Sequence, residues 1–345
     1  MRRLLRRGLL LALALVALLA SPVVYVETMC RGDAVPAPAL PLSAETRPEV
    51  RTLLTYPEWH IVHAYDDYAE VIRTGDPQDY GFTRAVTGYW GALCTLTRES
   101  AALGEIDTAT RQLVHVIGVS FTVEMAMKAL YEETLGRLAT LVRGETRAPL
   151  DDLSAAQAAT YARFLQQVPW YRYDFRADAA ALRAAATDAF RDRERAFALG
   201  LEHRARAAYA GVIAGAVAAT GADDLTLQMV VAGLPPEALE AVEGVTVLRP
   251  VEDGWEVETP RYRALTVLLA GWAEAGATFR DMAGNDRILF TAISDAPEAE
   301  GALLSLPRQG YGDTRHLFLV DVPELAERLR GLAAAGLRLE HVHDY

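Results

Sequence analysis

Apolar and polar positions divide the chain into three regimes. Between Gly8 and Val26 there is no period at all: an uncharged, leucine-rich run follows Arg2, Arg3, Arg6 and Arg7, and the first acidic residue is Glu27. Such a run is long enough for a helix to cross a bilayer core. Its basic cap is the kind retained on the cytoplasmic side. From about residue 55 apolar positions recur at the helical period, and past Gly221 they alternate at the period of strands.

The helical regime opens at Thr55-Tyr56-Pro57-Glu58, where Thr55 and Glu58 have capping-box spacing and Pro57 suits a first turn. That helix is expected to stop at Gly75-Asp76-Pro77, with further helices near 81–103, 107–142, 154–167, 177–190 and 191–220. The aromatic cluster Trp170, Tyr171, Tyr173 and Phe175 reads as packing for a helix connection. In the alternating regime, strands are expected at 225–232, 245–249, 255–258, 277–282, 287–294, 316–321 and 337–342, and helices at 235–242, 261–275 and 323–335. The first part of this series has βαββαβ order. No internal repeat of fixed period is evident.

The expected fold class is therefore α+β: an N-terminal transmembrane anchor (1–30), a Pro/Ala-rich spacer (31–52), a helical domain (53–221) and a C-terminal ferredoxin-like α+β domain with appended strands (222–345). Pro36, Pro38, Pro41 and Pro48 give the spacer an extended character, so it should lift the soluble part off the membrane. A cleaved signal would need small residues at −3 and −1. Cuts after Ala17, Ala20 or Ser21 place Leu15, Leu18 or Leu19 at −3, which favours an uncleaved anchor. The expected location is the inner membrane of a Gram-negative bacterium, single-pass through residues 9–26, with the N-terminus cytoplasmic and the bulk periplasmic.

Charge narrows the partners. The chain carries −12 over 345 residues, and setting aside the four N-terminal arginines leaves −16, the wrong sign for a nucleic-acid binder. Cys30 and Cys94 are the only two cysteines, and both are expected to be free.

Three constellations could carry chemistry. On the opening helix, Ile61, Tyr65, Tyr68 and Ile72 share an inward face, while His60, His63, Asp67 and Glu70 fall opposite. Two imidazoles and a carboxylate suit a divalent metal, so His60, His63 and Asp67 are the candidate ligands. The competing reading of these residues is a solvated helix face. In the long helix 107–142, Leu113, Ile117, Tyr131 and Leu135 define an apolar face with Glu124 and Lys128 in its middle and His115, Thr122 and Glu133 opposite. Glu124 and Lys128 are either an acid–base pair or a structural ion pair bonded to another helix. They also count against a span at 113–130, since each charge costs roughly 2.5–3.5 kcal/mol near the bilayer centre. At the C-terminus His341 and His343 should face one side of a strand. They would form a small site with His316 if His316 lay on a neighbouring strand, but a solvated pair at a mobile chain end is the expected state.

The stretches Thr55–His63, Ala283–Leu289 and Leu339–Tyr345 resemble those of single-span bacterial membrane proteins of unknown function. The resemblance implies that the chain works as one unit and brings no activity or site residue with it. The expected role is a membrane-anchored periplasmic module that binds a protein partner or small ligand. The alternative is a metal-dependent enzyme or metal-binding protein using the His/Asp cluster.

Overall fold

The computed structural model describes residues 2–33, 49–220 and 225–344; most of the expected spacer lies outside them. The first helix, α1 (Arg2–Met29), contains the apolar run. Its last turns do not stand clear of the rest. Cys30 is bonded to Cys94 of α4 (Phe82–Ser100), with the two Cα atoms 5.0 Å apart, so the expectation of two free thiols is wrong. Around that bond Glu27 accepts a 2.8 Å hydrogen bond from His115, and Arg98 donates to the Met29 carbonyl. Docked in this way, the end of α1 is fixed to the helical region directly and is not held off by residues 31–52. Regular structure resumes within the expected spacer, at α2 (Glu49–Leu53).

Helices α3 (Tyr56–Thr74), α4, α5 (Thr108–Tyr131), α6 (Arg137–Arg143), α7 (Pro149–Leu165), α8 (Phe175–Ala185) and α9 (Phe190–Thr220) make up the helical region. The start of α3 falls where the sequence places it, but the expected capping box is absent: the Thr55 hydroxyl donates to the Thr52 carbonyl instead. At its other end Arg147 satisfies the carbonyls of Ile72 and Gly75. Asp107 caps α5 through the Thr110 N–H. A π turn at Glu132–Gly136 joins α5 to α6, giving one continuous helix, Thr108–Arg143. Among the described residues it is the one helix long and apolar enough to cross a membrane, and 22 % of its most apolar window is buried. Its buried face carries Val114, Gly118, Phe121 and Met125. The expected face is wrong at Leu113 and Leu135, which are exposed, and at His115 and Thr122, which turn inward to Glu27 and Trp90.

Past residue 225 the chain builds two four-stranded antiparallel sheets. The first comprises β1 (Thr226–Ala232), β2 (Thr246–Val251), β3 (Gly254–Pro260) and β4 (Thr278–Met282) in the order β2-β3-β1-β4. Helices α10 (Pro236–Glu240) and α11 (Arg263–Glu274) lie between its strands in sequence. The second comprises β5 (Arg287–Ser294), β6 (Leu304–Pro307), β7 (Thr314–Asp321) and β8 (Arg338–His343) in the order β6-β7-β5-β8, with α12 (Val322–Gly331) before β8. One order is the other repeated. Corresponding elements start about 60 residues apart: Thr226 and Arg287, Gly254 and Thr314, Arg263 and Val322, Thr278 and Arg338. The "appended" strands are thus a second copy of the first topology, lacking the helix that matches α10. Both sheets and α11 and α12 share one core, which includes Met229, Phe279, Leu269, Phe290, Phe318 and Leu325.

Side chains alternate across the second sheet. Phe290, Phe318 and Val342 face that core, whereas Leu289 and Leu317 pack into the core of the helical region. This second face of the sheet, laid against α3, is where the polar chemistry of the molecule gathers.

Candidate functional site

Helix α3 is buried on both sides. Tyr65, Tyr68 and Ile72 face the helical core as expected, but His60, His63 and Asp67 are also buried, at 8, 7 and 7 % exposure. The solvated-face reading fails because the second sheet covers that side.

The three candidate ligands go separate ways. His60 turns to α4, where its Nε2 donates 2.8 Å to the Ala85 carbonyl. Gly88 makes room for the ring, since a Cβ there would stand 2.6 Å from the His60 Cε1. Burial pushes the imidazole down to about 4, so it stays neutral. Asp67 accepts a 3.0 Å hydrogen bond from the Gln309 N–H and lies 3.9 Å from both Arg308 and Arg315. Burial lifts its carboxyl to about 6 against the pull of Arg315. His63 faces the C-terminal strand.

That strand is buried, not solvated. His341 and His343 share one side of β8, as the period of two requires, but both are buried, at 4 and 0 % exposure. A register shift against β5, between Thr291 and Ala292, occurs where Glu340 stands. Glu340 therefore joins the same seam, where Arg315 of β7 grips it with two hydrogen bonds of 2.5 and 2.7 Å. Burial raises the Glu340 carboxyl, and Arg315 outweighs burial and holds it low. Asp344 is tied to Arg261 and accepts from the Tyr262 N–H, which fixes the end of the strand.

His63 Nδ1 stands 3.8 Å from Glu340 Oε1. His341 packs against Trp59 with ring centroids 3.6 Å apart and planes tilted by 34°, and its Nδ1 is 3.0 Å from the Thr266 hydroxyl. His343 lies between them, its centroid 4.9 Å from that of His341 and 6.2 Å from that of His63. Burial drives all three imidazoles below their ordinary value. His63 Nε2, His341 Nε2, both nitrogens of His343 and the Tyr56 hydroxyl are buried without a hydrogen-bond partner among the described residues. No group of three or more His, Cys, Asp or Glu side chains among the described residues forms a ready ligand set.

His316 belongs elsewhere. It faces the opposite side of β7 from Arg315, with Nε2 2.9 Å from the Ser294 hydroxyl and Nδ1 2.9 Å from that of Ser305. Glu124 and Lys128 do not pair with each other. Lys128 bonds Glu202 of α9 at 2.9 Å, while Glu124 accepts from Arg206 of α9 and, at 2.6 Å, from Tyr65. Lys128 and Arg206 outweigh burial and pull the Glu202 carboxyl down to about 2. This arrangement joins α5 to α9 as a closed ionic network.

Sequence reasoning missed one further feature. A groove of about 690 Å³ opens beside α10 and α11, lined by Leu234, Ala238, Val242, Val267, Leu268 and Trp272, with Arg263 and Glu243 also on its wall. The Trp272 ring is buried and its Nε1 has no partner among the described residues. The apolar pattern of 263–274 signals a helix but not an open side to it.

No family model, curated protein or solved structure matches the chain.

Proposed function

We propose that the chain is a membrane-anchored extracytoplasmic binding module whose groove beside α10 and α11 takes a small, largely apolar ligand. The observation that carries this reading is the groove itself, a largely apolar opening of about 690 Å³ beside α10 and α11. The order β2-β3-β1-β4 supports a ferredoxin-like reading of the unit that carries the groove.

Two features support the location. Leu9, Leu10, Leu13, Val16 and Leu18 of α1 are all exposed, as lipid-facing residues would be. The Cys30–Cys94 bond suits an oxidising compartment such as the periplasm. Both agree with an anchor through residues 9–26 whose basic end remains cytoplasmic.

Gly271 lies on the groove, and a Cβ there would meet nothing within 4 Å. Gly271→Leu therefore fills the groove without disturbing the core. Wild type is expected to bind an environment-sensitive apolar dye, with a change in Trp272 fluorescence, and Gly271→Leu to lose both. Equal dye binding by the two proteins would overturn the assignment.

A further inference from the structure

We propose that α5–α6 and α9 together present one apolar face that lies in the lipid of the bilayer holding α1, as an interfacial surface and not as a second span. This rests on the anchored reading given above. The two helices run antiparallel side by side: Arg206 meets Glu124, Glu202 meets Lys128 and Arg195 meets Glu132. Tyr65 of α3 reaches Glu124 and Arg206 together, so the core covers one side of the pair.

The other side is uncovered and apolar. Met127, Leu130 and Leu138 project from α5–α6, and Phe197, Leu201 and Val212 from α9, each more than half exposed. A core helix of a soluble protein with this hydropathy would be mostly covered, whereas 22 % of the most apolar window of Thr108–Arg143 is buried. Exposed apolar surface of this extent marks a contact with a partner or a membrane.

Two observations select lipid. Glu27, the first acidic residue after the apolar run of α1, is where the anchor leaves the bilayer, and it is bonded to Arg111 and His115 near the start of α5. The Cys30–Cys94 bond locks the next turn of α1 to α4. The tether therefore delivers α5 to the membrane surface. Val24, Tyr25 and Met29, on the docked turns of α1, are exposed too, so apolar surface does not stop where the anchor meets the helical region.

Charge gives the second argument. The chain carries −12, yet among the described residues the fully exposed charges on these two helices are Arg137, Arg193 and Arg204 against Glu133 alone. Arginines flanking an apolar face extend their guanidinium groups to lipid phosphates while their stems lie along the acyl boundary. The acidic remainder of the surface is repelled by anionic headgroups, so zwitterionic phospholipid is the fitting partner.

The test uses the full chain, disulfide intact, in phosphatidylcholine nanodiscs containing a lipid with a diazirine on its acyl chain. Photolysis and peptide mapping then read which side chains meet lipid. Adducts are expected on α1 and on Met127, Leu130, Phe197 and Leu201, with none on Leu248, an exposed leucine of β2 in the first sheet. The double variant Leu130→Glu/Leu201→Glu, altered only at the surface, should lose the adducts on α5 and α9 and keep those on α1. Adducts on α1 alone overturn the face and leave the anchor standing. Adducts on neither reject the anchor as well, and adducts on the face without α1 support the face while rejecting the span. Equal labelling of Leu248 overturns the assignment, as does a disc holding two chains with the face unlabelled, which would give the face to a second copy.

Discussion

Arg315 of β7 holds Glu340 of β8 through two parallel hydrogen bonds of 2.5 and 2.7 Å, and both side chains face α3. They are buried at the join of the two halves, so neither charge can be removed alone without cost. Arg315→Met, which strands the Glu340 carboxylate, is expected to lower stability by about 3–5 kcal/mol. Adding Glu340→Gln should return part of that loss. Urea unfolding of the two variants checks this, and a double mutant less stable than Arg315→Met alone would contradict it.

Acid should weaken the protein before it touches most carboxylates. Unfolded histidines take up protons near pH 6.5. In the folded chain burial drives His60 to about 4 and His341 to about 3, and holds His63 and His343 well below their ordinary value. Their neutral forms therefore contribute stability that is present above pH 6.5 and lost as pH falls towards the folded values. Each can remove up to about 1.4 kcal/mol per pH unit. Asp67 acts oppositely: its raised value of about 6 means that the fold gains from its protonation as pH drops towards 3.8. His203 and His316 are lowered as well and Asp178 and Asp344 raised, so six histidines stand against three carboxyls and the urea midpoint should fall between about pH 7.5 and about pH 5. His60→Gln should flatten that slope. An unchanged midpoint in wild type would count against neutral burial of these rings.

The bond between Cys30 and Cys94 spans a sequence separation of 64. Chain-entropy arguments give a closed loop of that size about 4 kcal/mol of stabilisation. Cys94→Ser should therefore lower the unfolding midpoint, and reducing the wild type should lower it equally. If a reductant shifts wild type and leaves Cys94→Ser alone, the effect belongs to this bond. A shift of both places it elsewhere.

Two glycines on neighbouring helices should respond with opposite sign. A Cβ at Gly91 of α4 would meet nothing within 4 Å, so Gly91→Ala should gain about 1 kcal/mol from helix propensity. At Gly118 of α5 a Cβ would stand 2.5 Å from the Tyr89 ring and 2.9 Å from that of Trp90. Tyr89 is fully buried and its hydroxyl is tied to the Val114 carbonyl, so it cannot retreat freely. Overpacking of about 1–3 kcal/mol should outweigh the propensity gain in Gly118→Ala. Thermal melts of the two variants distinguish them.

Local pattern made much of the α+β series readable. The strand at 287–294 matches β5 (Arg287–Ser294), and the helix at 261–275 overlaps α11. β6 escaped notice because Leu304–Pro307 is four residues long and ends in proline. The doubled topology was invisible because what repeats is the order of elements and not the residues in them. Periodicity also placed His341 and His343 on one side of a strand. It could not say what lies against that side, because burial there comes from α3, far away in the chain. For the same reason a polar helix face looked solvated although a sheet covers it. The shift that brings Glu340 into the seam, the pairing of Cys30 with Cys94 and the groove beside α11 are all tertiary facts with no local signal.

The join between Cys30 and Cys94 also makes a covalent ring of the segment between them. That ring contains residues 34–48, α2, α3 and the first part of α4. One backbone cut inside it leaves two pieces still tied through sulfur. Release of the rest of the chain from α1 by a protease acting there would need a second event, reduction of the bond. Electrophoresis after limited digestion would show one band without thiol and two with it.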